Sequence, residues 1–300
     1  MNSPANVSDQ ISAAEVNAAL SHTCLGGCVQ HFSEIPSTND LALEAGLRGD
    51  RLGVWVADAQ TAGRGRSGHA WHSAPGDGLY VSALFTPKLP ASAVQLSLAT
   101  GLAVWEAIRE VSGLTVDIRW PNDLVTRPRA GSGPAKKLGG ILVETSAAPV
   151  DPSSGKKHAM LRYAVIGIGM NVGHRSFPQD IAPLASSLRM EGWMAPSRQK
   201  LLIRLLEKLD GYVRRLEDRY AGTEDGLDVL PRLAEASTWL RGKRVSVPED
   251  GGYTGTTAGL DAQGFLLVQG DDGIRRTVRS GGVRELEDTR ERDGTHATGA

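Results

Sequence analysis

The stretch from Gly53 to Phe85 constrains the fold of this chain more than any other. GVWVADA (53–59) is an apolar, β-prone run feeding into QTAGRGRSG (60–68), and LYVSALF (79–85) is a second such run beyond it. A strand, a glycine-rich loop and another strand exclude two common phosphate-binding designs. The dinucleotide fingerprint needs G-x-G-x-x-G opening a helix. The Walker loop needs G-K-[ST], and none follows here. The loop is therefore expected as a flap or turn within a sheet. Gly63, Gly65 and Gly68 let a ligand approach the backbone closely. Arg64 and Arg66 present planar donor forks suited to carboxylate or phosphate. From the residues alone, an anion-binding loop and a merely basic surface turn are both open.

Upstream, residues 1–23 are polar and Ala-rich, with a short helix expected over Ser8–Leu20. Val29–Ile35 reads as a strand. In PSTND (36–40), Ser37 is a good N-cap with Asp40 three residues later, ahead of the helical run Leu41–Leu47. Ser37, Thr38 and Asn39 are either a plain cap or a cluster of small polar groups at a helix N-terminus, ready for a ligand.

Downstream, apolar residues at 94, 98, 102, 105, 108 and 111 give a helix with one buried face, Trp105 included. Val116–Trp120 is a short strand. It ends in RWPND (119–123), where a proline stops the strand and leaves Asn122 and Asp123 in a turn. TRPRAGSGPA (126–135) is a Pro/Gly/Ser loop before Lys136 and Lys137. Leu138–Glu144 is strand-like but opens on Gly139 and Gly140, and glycine in a strand marks close approach of a backbone or ligand. Lys137 at its mouth is thus a candidate catalytic cation, or one of a solvated lysine pair. Residues 147–158 form a hairpin loop. Tyr163–Asn171 is a buried strand. Ser197 caps a helix to Tyr220 with a stripe at 201, 202, 205, 209, 212, 213, 216 and 220, and a second helical segment lies near Pro231–Leu240. From Gly242 onward, short β segments alternate with PEDGG, DAQG and GDDG turns, the spacing of a small antiparallel barrel.

Composition narrows the function. Lys+Arg number 33 against 34 Asp+Glu, a net charge of −1, which argues against a general nucleic-acid binder. No apolar run approaches the roughly 20 residues that span a bilayer. The N-terminus lacks a basic start and apolar stretch. Cys24 and Cys28 are too few for a disulfide scaffold or a closed zinc site, and read as free thiols of a reducing cytosol or as a local redox pair.

The loop, RWPND, KLGGILVE (137–144) and IGIGMNV (166–172), in that order, resemble the biotin protein ligase family, the biotin–[acetyl-CoA-carboxylase] ligases. The likeness runs from about Phe32 to Leu286. It implies an α/β (α+β) fold: a class II aminoacyl-tRNA synthetase-like catalytic domain with a mixed sheet (29–240), then a small SH3-like β-barrel (241–287). A polar segment with a short helix (1–28) and a disordered tail (288–300) would flank them. The resemblance implies a cytoplasmic ATP-dependent ligase that makes biotinyl-5′-AMP and transfers biotin to a lysine of a biotin carboxyl carrier protein. That acceptor would belong to an acetyl-CoA or acyl-CoA carboxylase. ATP, biotin and Mg²⁺ are the implied small molecules, and a monomer or weak homodimer the implied state.

By the same resemblance, Ser37, Thr38, Asn39 and Gln60 recognise the ureido head of biotin. Gly63, Arg64, Gly65 and Arg66 close over biotin and the adenylate, with Gly140 beside them. Lys137 holds the biotin carboxylate. Trp71, Asn122, Asp123 and Asn171 serve the nucleotide side, and Ser280 to Gly282 lean on the site. Lys137, Arg64, Arg66 and Asp123 make up the catalytic set. Some members carry an N-terminal winged helix-turn-helix and double as repressors. The residues ahead of Phe32 hold no second helix to read DNA, so no DNA binding is expected. Position 67 is Ser where some relatives have a third Arg, and the 126–135 insertion precedes Lys137.

The chemistry sets the same demands. Acyl-adenylate formation brings two anions together, so positive charge must stand where charge develops. Arg64, Arg66 and Lys137 are of the right type. The step needs positioning and electrostatics more than proton transfer. In the transfer half, Asp123 is a candidate to take the amine proton. A labile adenylate also calls for a loop that excludes water once filled. A lipoate or octanoate ligase shares the fold. A biotin-responsive DNA-binding regulator is the alternative from another class.

Overall fold

The computed structural model describes residues 9–91, 93–127, 133–149, 159–226, 228–279 and 281–286. Ser280, the start of the chain before Asp9, the middle of the 126–135 stretch, most of the 147–158 loop and the 288–300 tail lie outside the described residues.

Seven strands form a mixed sheet: β1 (Val29–Ile35), β2 (Gly53–Gln60), β3 (Gly78–Phe85), β4 (Val116–Arg119), β5 (Asp123–Thr126), β6 (Lys137–Ala147) and β7 (Leu161–Asn171). Their spatial order is β1-β2-β3-β7-β6-β5-β4. Only β1 and β2 run parallel, because α2 (Thr38–Arg48) crosses over between them. All other neighbours in this sheet are antiparallel. The alternation of side chains across a strand divides the sheet into two faces. Val54, Val56, Ile166 and Ile168 face the main core with α3 (Ala93–Ser112), α4 (Arg198–Ala221) and α5 (Val229–Ala236). Trp55, Leu84, Tyr163 and Val165 face the other way, under Ala42 and Ala45 of α2.

Ser37 caps α2, its hydroxyl accepting from the Asp40 amide at 3.3 Å, and Gly49 ends that helix in the left-handed conformation at φ 98°. Ser197 caps α4, whose stripe is buried as the spacing predicts except for Tyr220, which is exposed. Trp105 is only half-buried. Its indole donates to the Val116 carbonyl at 3.0 Å and the Arg109 guanidinium covers its ring. The N-terminal helix α1 (Ala13–Ala19) is shorter than predicted because Ser12 accepts from the Glu15 amide and starts the helix there. The turn after β4 is sharper than predicted. The chain reverses through a cis Trp120–Pro121 bond, and Asp123 already pairs with Arg119 as the first residue of β5.

A second sheet holds five antiparallel strands, β8 (Arg241–Val247), β9 (Tyr253–Leu260), β10 (Leu266–Gly270), β11 (Arg275–Val278) and β12 (Arg284–Glu285), in the order β11-β10-β9-β8-β12. Its inward residues Val245, Val247, Leu266 and Val268 join the main core. The indole of Trp120 donates to the Gly264 carbonyl at 3.0 Å, and that of Trp239 to Glu285 at 3.1 Å.

Candidate active site

Register builds the site on the face covered by α2. Ser82 of β3, Gly167 of β7 and Leu142 of β6 form one row across three strands. Tyr80, Gly169 and Gly140 form the next row. The N-terminus of α2 comes down onto the first row. A Cβ on Gly167 would lie 2.1 Å from the Asn39 Oδ1, so glycine there makes room for the Asn39 amide. The loop between β2 and β3 comes down onto the second row. A Cβ on Gly169 would lie 2.6 Å from the Trp71 indole, and one on Gly140 3.1 Å from it. The two glycines are the groove in which Trp71 lies.

The first row carries a closed polar chain. Gln60 Oε1 accepts from the Thr38 amide at 2.8 Å and from the Thr38 hydroxyl at 3.1 Å. The Thr38 and Ser82 hydroxyls are 2.8 Å apart, and Ser82 donates to Asn39 Oδ1 at 2.7 Å. Asn39 Nδ2 donates to Glu144 at 2.6 Å. Ser37, Thr38, Asn39 and Ser82 are all buried, so these partners are obligatory. Sequence reasoning names Ser37, Thr38, Asn39 and Gln60 but misses Ser82 and Glu144. The available signal for Ser82 was one hydroxyl inside the apolar run LYVSALF.

Cations stand at the opposite end. Lys137 Nζ lies 2.7 Å from Asp123 Oδ1 and 5.3 Å from the centroid of the Trp71 ring. Arg119 reaches the other Asp123 oxygen at 2.7 Å. Burial pushes the Asp123 carboxyl up, but Lys137 and Arg119 outweigh it and hold it below the usual carboxylate range. Arg66 donates to Asn122 Oδ1 at 3.1 Å, while Asn122 Nδ2 donates to the Ile141 carbonyl at 2.8 Å. The polar end and the cationic end belong to one cavity, lined between them by Leu142, Trp71 and the strand residues 140–141 and 167–169.

That cavity measures only about 50 Å³, enough for a few waters. Small-molecule pockets run from about 300 Å³ upward. Loop side chains crowd the remainder, so a ligand of ordinary size must shift some of them. The Trp71 Nε1 is buried with no acceptor among the described residues, a donor left over for a ligand. Outside the loop a second hollow of about 450 Å³ opens between residues 62–70 and the Leu142 and Glu144 side chains.

Of the predicted site residues, Ser37, Thr38, Asn39, Gln60, Arg64, Gly65, Arg66, Trp71, Asn122, Lys137 and Gly140 line the main cavity. Gly63 is buried behind it and lines the second hollow, its carbonyl accepting from the Trp71 amide at 2.8 Å. Asp123 touches the site through Lys137. Asn171 does not reach the cavity. Its amide donates to the Ser186 carbonyl at 3.0 Å and the Lys137 carbonyl at 3.3 Å, pinning the 185–188 turn beside Lys137. Gly281 packs against the Arg66 guanidinium. Among the described residues no group of three His, Cys, Asp or Glu comes together as a metal site. Both oxygens of Asp123 are taken by cations, so these residues make no protein-only Mg²⁺ cage.

This geometry has known counterparts. The family model for the biotin/lipoate A/B protein ligase family matches residues 32–171, and that for the biotin protein ligase C-terminal domain matches residues 241–283. The biotin–[acetyl-CoA-carboxylase] ligase of Mycobacterium tuberculosis is 32% identical over 253 residues, 82% of this chain and 84% of that protein. The bifunctional ligase/repressor BirA of Bacillus subtilis is 28% identical over 276 residues, 89% of this chain and 77% of that protein. A biotin protein ligase from Aquifex aeolicus, solved in complex with biotin and ATP, superposes with a TM-score of 0.68 at 26% identity. The match covers 87% of this chain and all of that one.

Proposed function

This chain belongs to the biotin/lipoate A/B protein ligase family and is a biotin–protein ligase enzyme, and from that premise we propose the reaction and the residues that run it. The observation that carries the reading is a single cavity with a neutral hydrogen-bonding end, an apolar wall and a cationic end. Biotin has the matching form: a ureido head, an apolar body and a carboxylate.

Biotin binds with its head against Thr38, Asn39, Gln60 and Ser82 and its carboxylate toward Lys137. A carboxylate oxygen attacks the α-phosphorus of ATP. The bond to the β-phosphate oxygen breaks and pyrophosphate leaves, giving biotinyl-5′-AMP. Lys137 and Arg66 offset the repulsion between the two anions. Asp123 is held low by two cations and orients Lys137, a role its geometry suits better than taking a proton. Trp71 and Asn122 bound the nucleotide, and Asn171 shapes its side by fixing the 185–188 turn. A Mg²⁺ supplied with ATP would be held by the phosphate oxygens rather than by these residues, and would offset charge on the departing pyrophosphate. The amine of a carrier-protein lysine then attacks the acyl carbon and AMP departs, the amine losing its proton to water. We take the acceptor to be the biotin carboxyl carrier domain of a carboxylase.

The larger sheet with its helices is, in this reading, the class II synthetase-like catalytic domain (29–240). The five-stranded sheet is an SH3-like barrel (241–287) that buttresses it through Trp120 and Gly264. DNA binding is not part of the proposal. The near-neutral charge speaks against it, and a gel shift showing tight, biotin-dependent binding to operon DNA would reverse that.

ATP–pyrophosphate exchange measured with biotin and with lipoate tests the central claim. Biotin should drive exchange and lipoate should not; the opposite pattern would overturn the assignment.

A further inference from the structure

Glu144 is assigned no part in the reaction described above, yet it joins the two halves of the site. One carboxylate oxygen accepts from Asn39 Nδ2 at 2.6 Å. The other accepts from Arg64 Nη2 at 2.9 Å. Arg64 Nη1 is taken by Asp40 at 2.5 Å, one residue after Asn39. The loop is also tied at its far end, where Gln60 Nε2 donates to the Ser73 hydroxyl at 3.0 Å. The polar chain on the cavity floor thus starts at Ser73, runs through Gln60, Thr38, Ser82 and Asn39, and returns to the loop through Glu144 and Arg64. The connection between β2 and β3 is thus hydrogen-bonded at Arg64 and at Ser73 to the groups that face the ligand head.

We propose that Glu144 is a positioning residue that couples occupation of the head pocket to placement of the glycine–arginine loop, acting through Asn39 on one side and Arg64 on the other. Charge explains why a carboxylate stands here. A neutral amide has one acceptor oxygen and could serve Asn39 or Arg64, whereas a carboxylate offers one oxygen to each and an opposite charge to the guanidinium. Asp40 and Glu144 together raise the Arg64 pKa above its ordinary value, so the guanidinium stays charged. When a ligand head engages Asn39 and fixes its amide, Glu144 is fixed with it, and so is the orientation in which Arg64 meets the rest of the ligand. The coupling is reciprocal: a loop held by Glu144 presents a preformed Asn39.

The inference rests on the biotin ligase reading for the identity of the acid, and its test does not depend on which acid that is. Exchange kinetics are measured for the full-length wild type, Glu144→Gln, Arg64→Ala and the double variant, with biotin and lipoate run side by side. Whichever acid drives wild-type exchange is the one compared, so lipoate dependence would correct the substrate while leaving the coupling testable. Glu144→Gln keeps an acceptor for Asn39 and removes the charge. It should raise KM for the acid about tenfold with kcat changed less than threefold and Tm within about 2 °C of wild type. Arg64→Ala should raise the same KM by at least as much, and the double variant should be no more than about twofold worse than the poorer single, since both remove one linkage. A Glu144→Gln KM within twofold of wild type overturns the proposal. So do single-variant losses that multiply in the double, or a loss of activity that only follows a fall in Tm.

Discussion

At the scale of single residues, the site depends on what is missing as much as on what is present. The groove formed by Gly140 and Gly169 is two absent side chains in register on β6 and β7, and the Trp71 indole takes their place. Gly169→Ala puts a methyl group 2.6 Å from that ring. Trp71 sits on a loop and can move away, so stability should change little. The displaced ring should raise the KM for ATP about tenfold, or about 1.4 kcal/mol, and steady-state kinetics with ATP varied would show it. His174 is another such residue. Its imidazole is 1% exposed, stacked at 4.8 Å on Phe177, with neither nitrogen partnered among the described residues. Burial, reinforced by His72, pushes its pKa below 6.5 despite the opposing charge of Asp77. The folded state therefore binds fewer protons at this group than the unfolded chain as pH falls below 6.5, and folding stability drops there. His174→Phe keeps the stack and removes the proton site. A plot of Tm against pH should lose part of its slope below pH 6.5, while its value at pH 8 changes little.

At the scale of elements, the loop 61–77 is a connection between two antiparallel strands that folds back onto the sheet instead of into solvent. Its tip is closed on itself as one unit, the Gly65 amide donating to the His69 carbonyl at 2.7 Å. Arg66 joins that unit to the turn after β4 through Asn122, and Gly281 of the second sheet packs against the same guanidinium. Arg66→Ala removes both supports. Release of biotinyl-5′-AMP into solution should rise tenfold or more, about 1.5–3 kcal/mol for a hydrogen bond to a charged group. Chromatography of the free adenylate measures it, and wild-type retention would refute this role. Much of this element structure is legible in the sequence. Apolar runs locate β1, β2, β3, β6 and β7, helical spacing locates α3 and α4, and Ser37 and Ser197 mark two helix starts. What is not legible is short or borrowed. Asp123–Thr126 follows a proline turn so closely that only pairing with β4 and β6 makes it a strand. Ser82 and Glu144 look like ordinary strand residues, and their meaning comes from partners 43 and 105 residues away, Asn39 in both cases.

At the scale of the whole molecule, the two sheets share one core, and the second stands where it can touch the site. Trp120 is the hinge of that arrangement. It follows β4 directly, precedes the Pro121–Asn122 turn and donates to Gly264 from a site 4% exposed. Trp120→Phe leaves the Gly264 carbonyl without that donor and should cost about 1–3 kcal/mol. Chemical denaturation reads the loss. Because Asn122 and Asp123 follow directly, the pyrophosphate-exchange rate should fall with it.

The order of strands carries a consequence for the birth of the protein. β7 is the last of the seven to leave the ribosome, yet it lies at the centre, between β3 and β6. Until residues 161–171 emerge, the growing chain holds two three-stranded pieces, each with an unpaired inner edge. Such edges invite pairing with other chains. The same strand brings Gly167 and Gly169 beneath Asn39 and Trp71. Insertion of β7 therefore closes the exposed edges and completes the substrate cavity in one event, and a nascent chain able to hold its ligand is one whose sheet is already sealed.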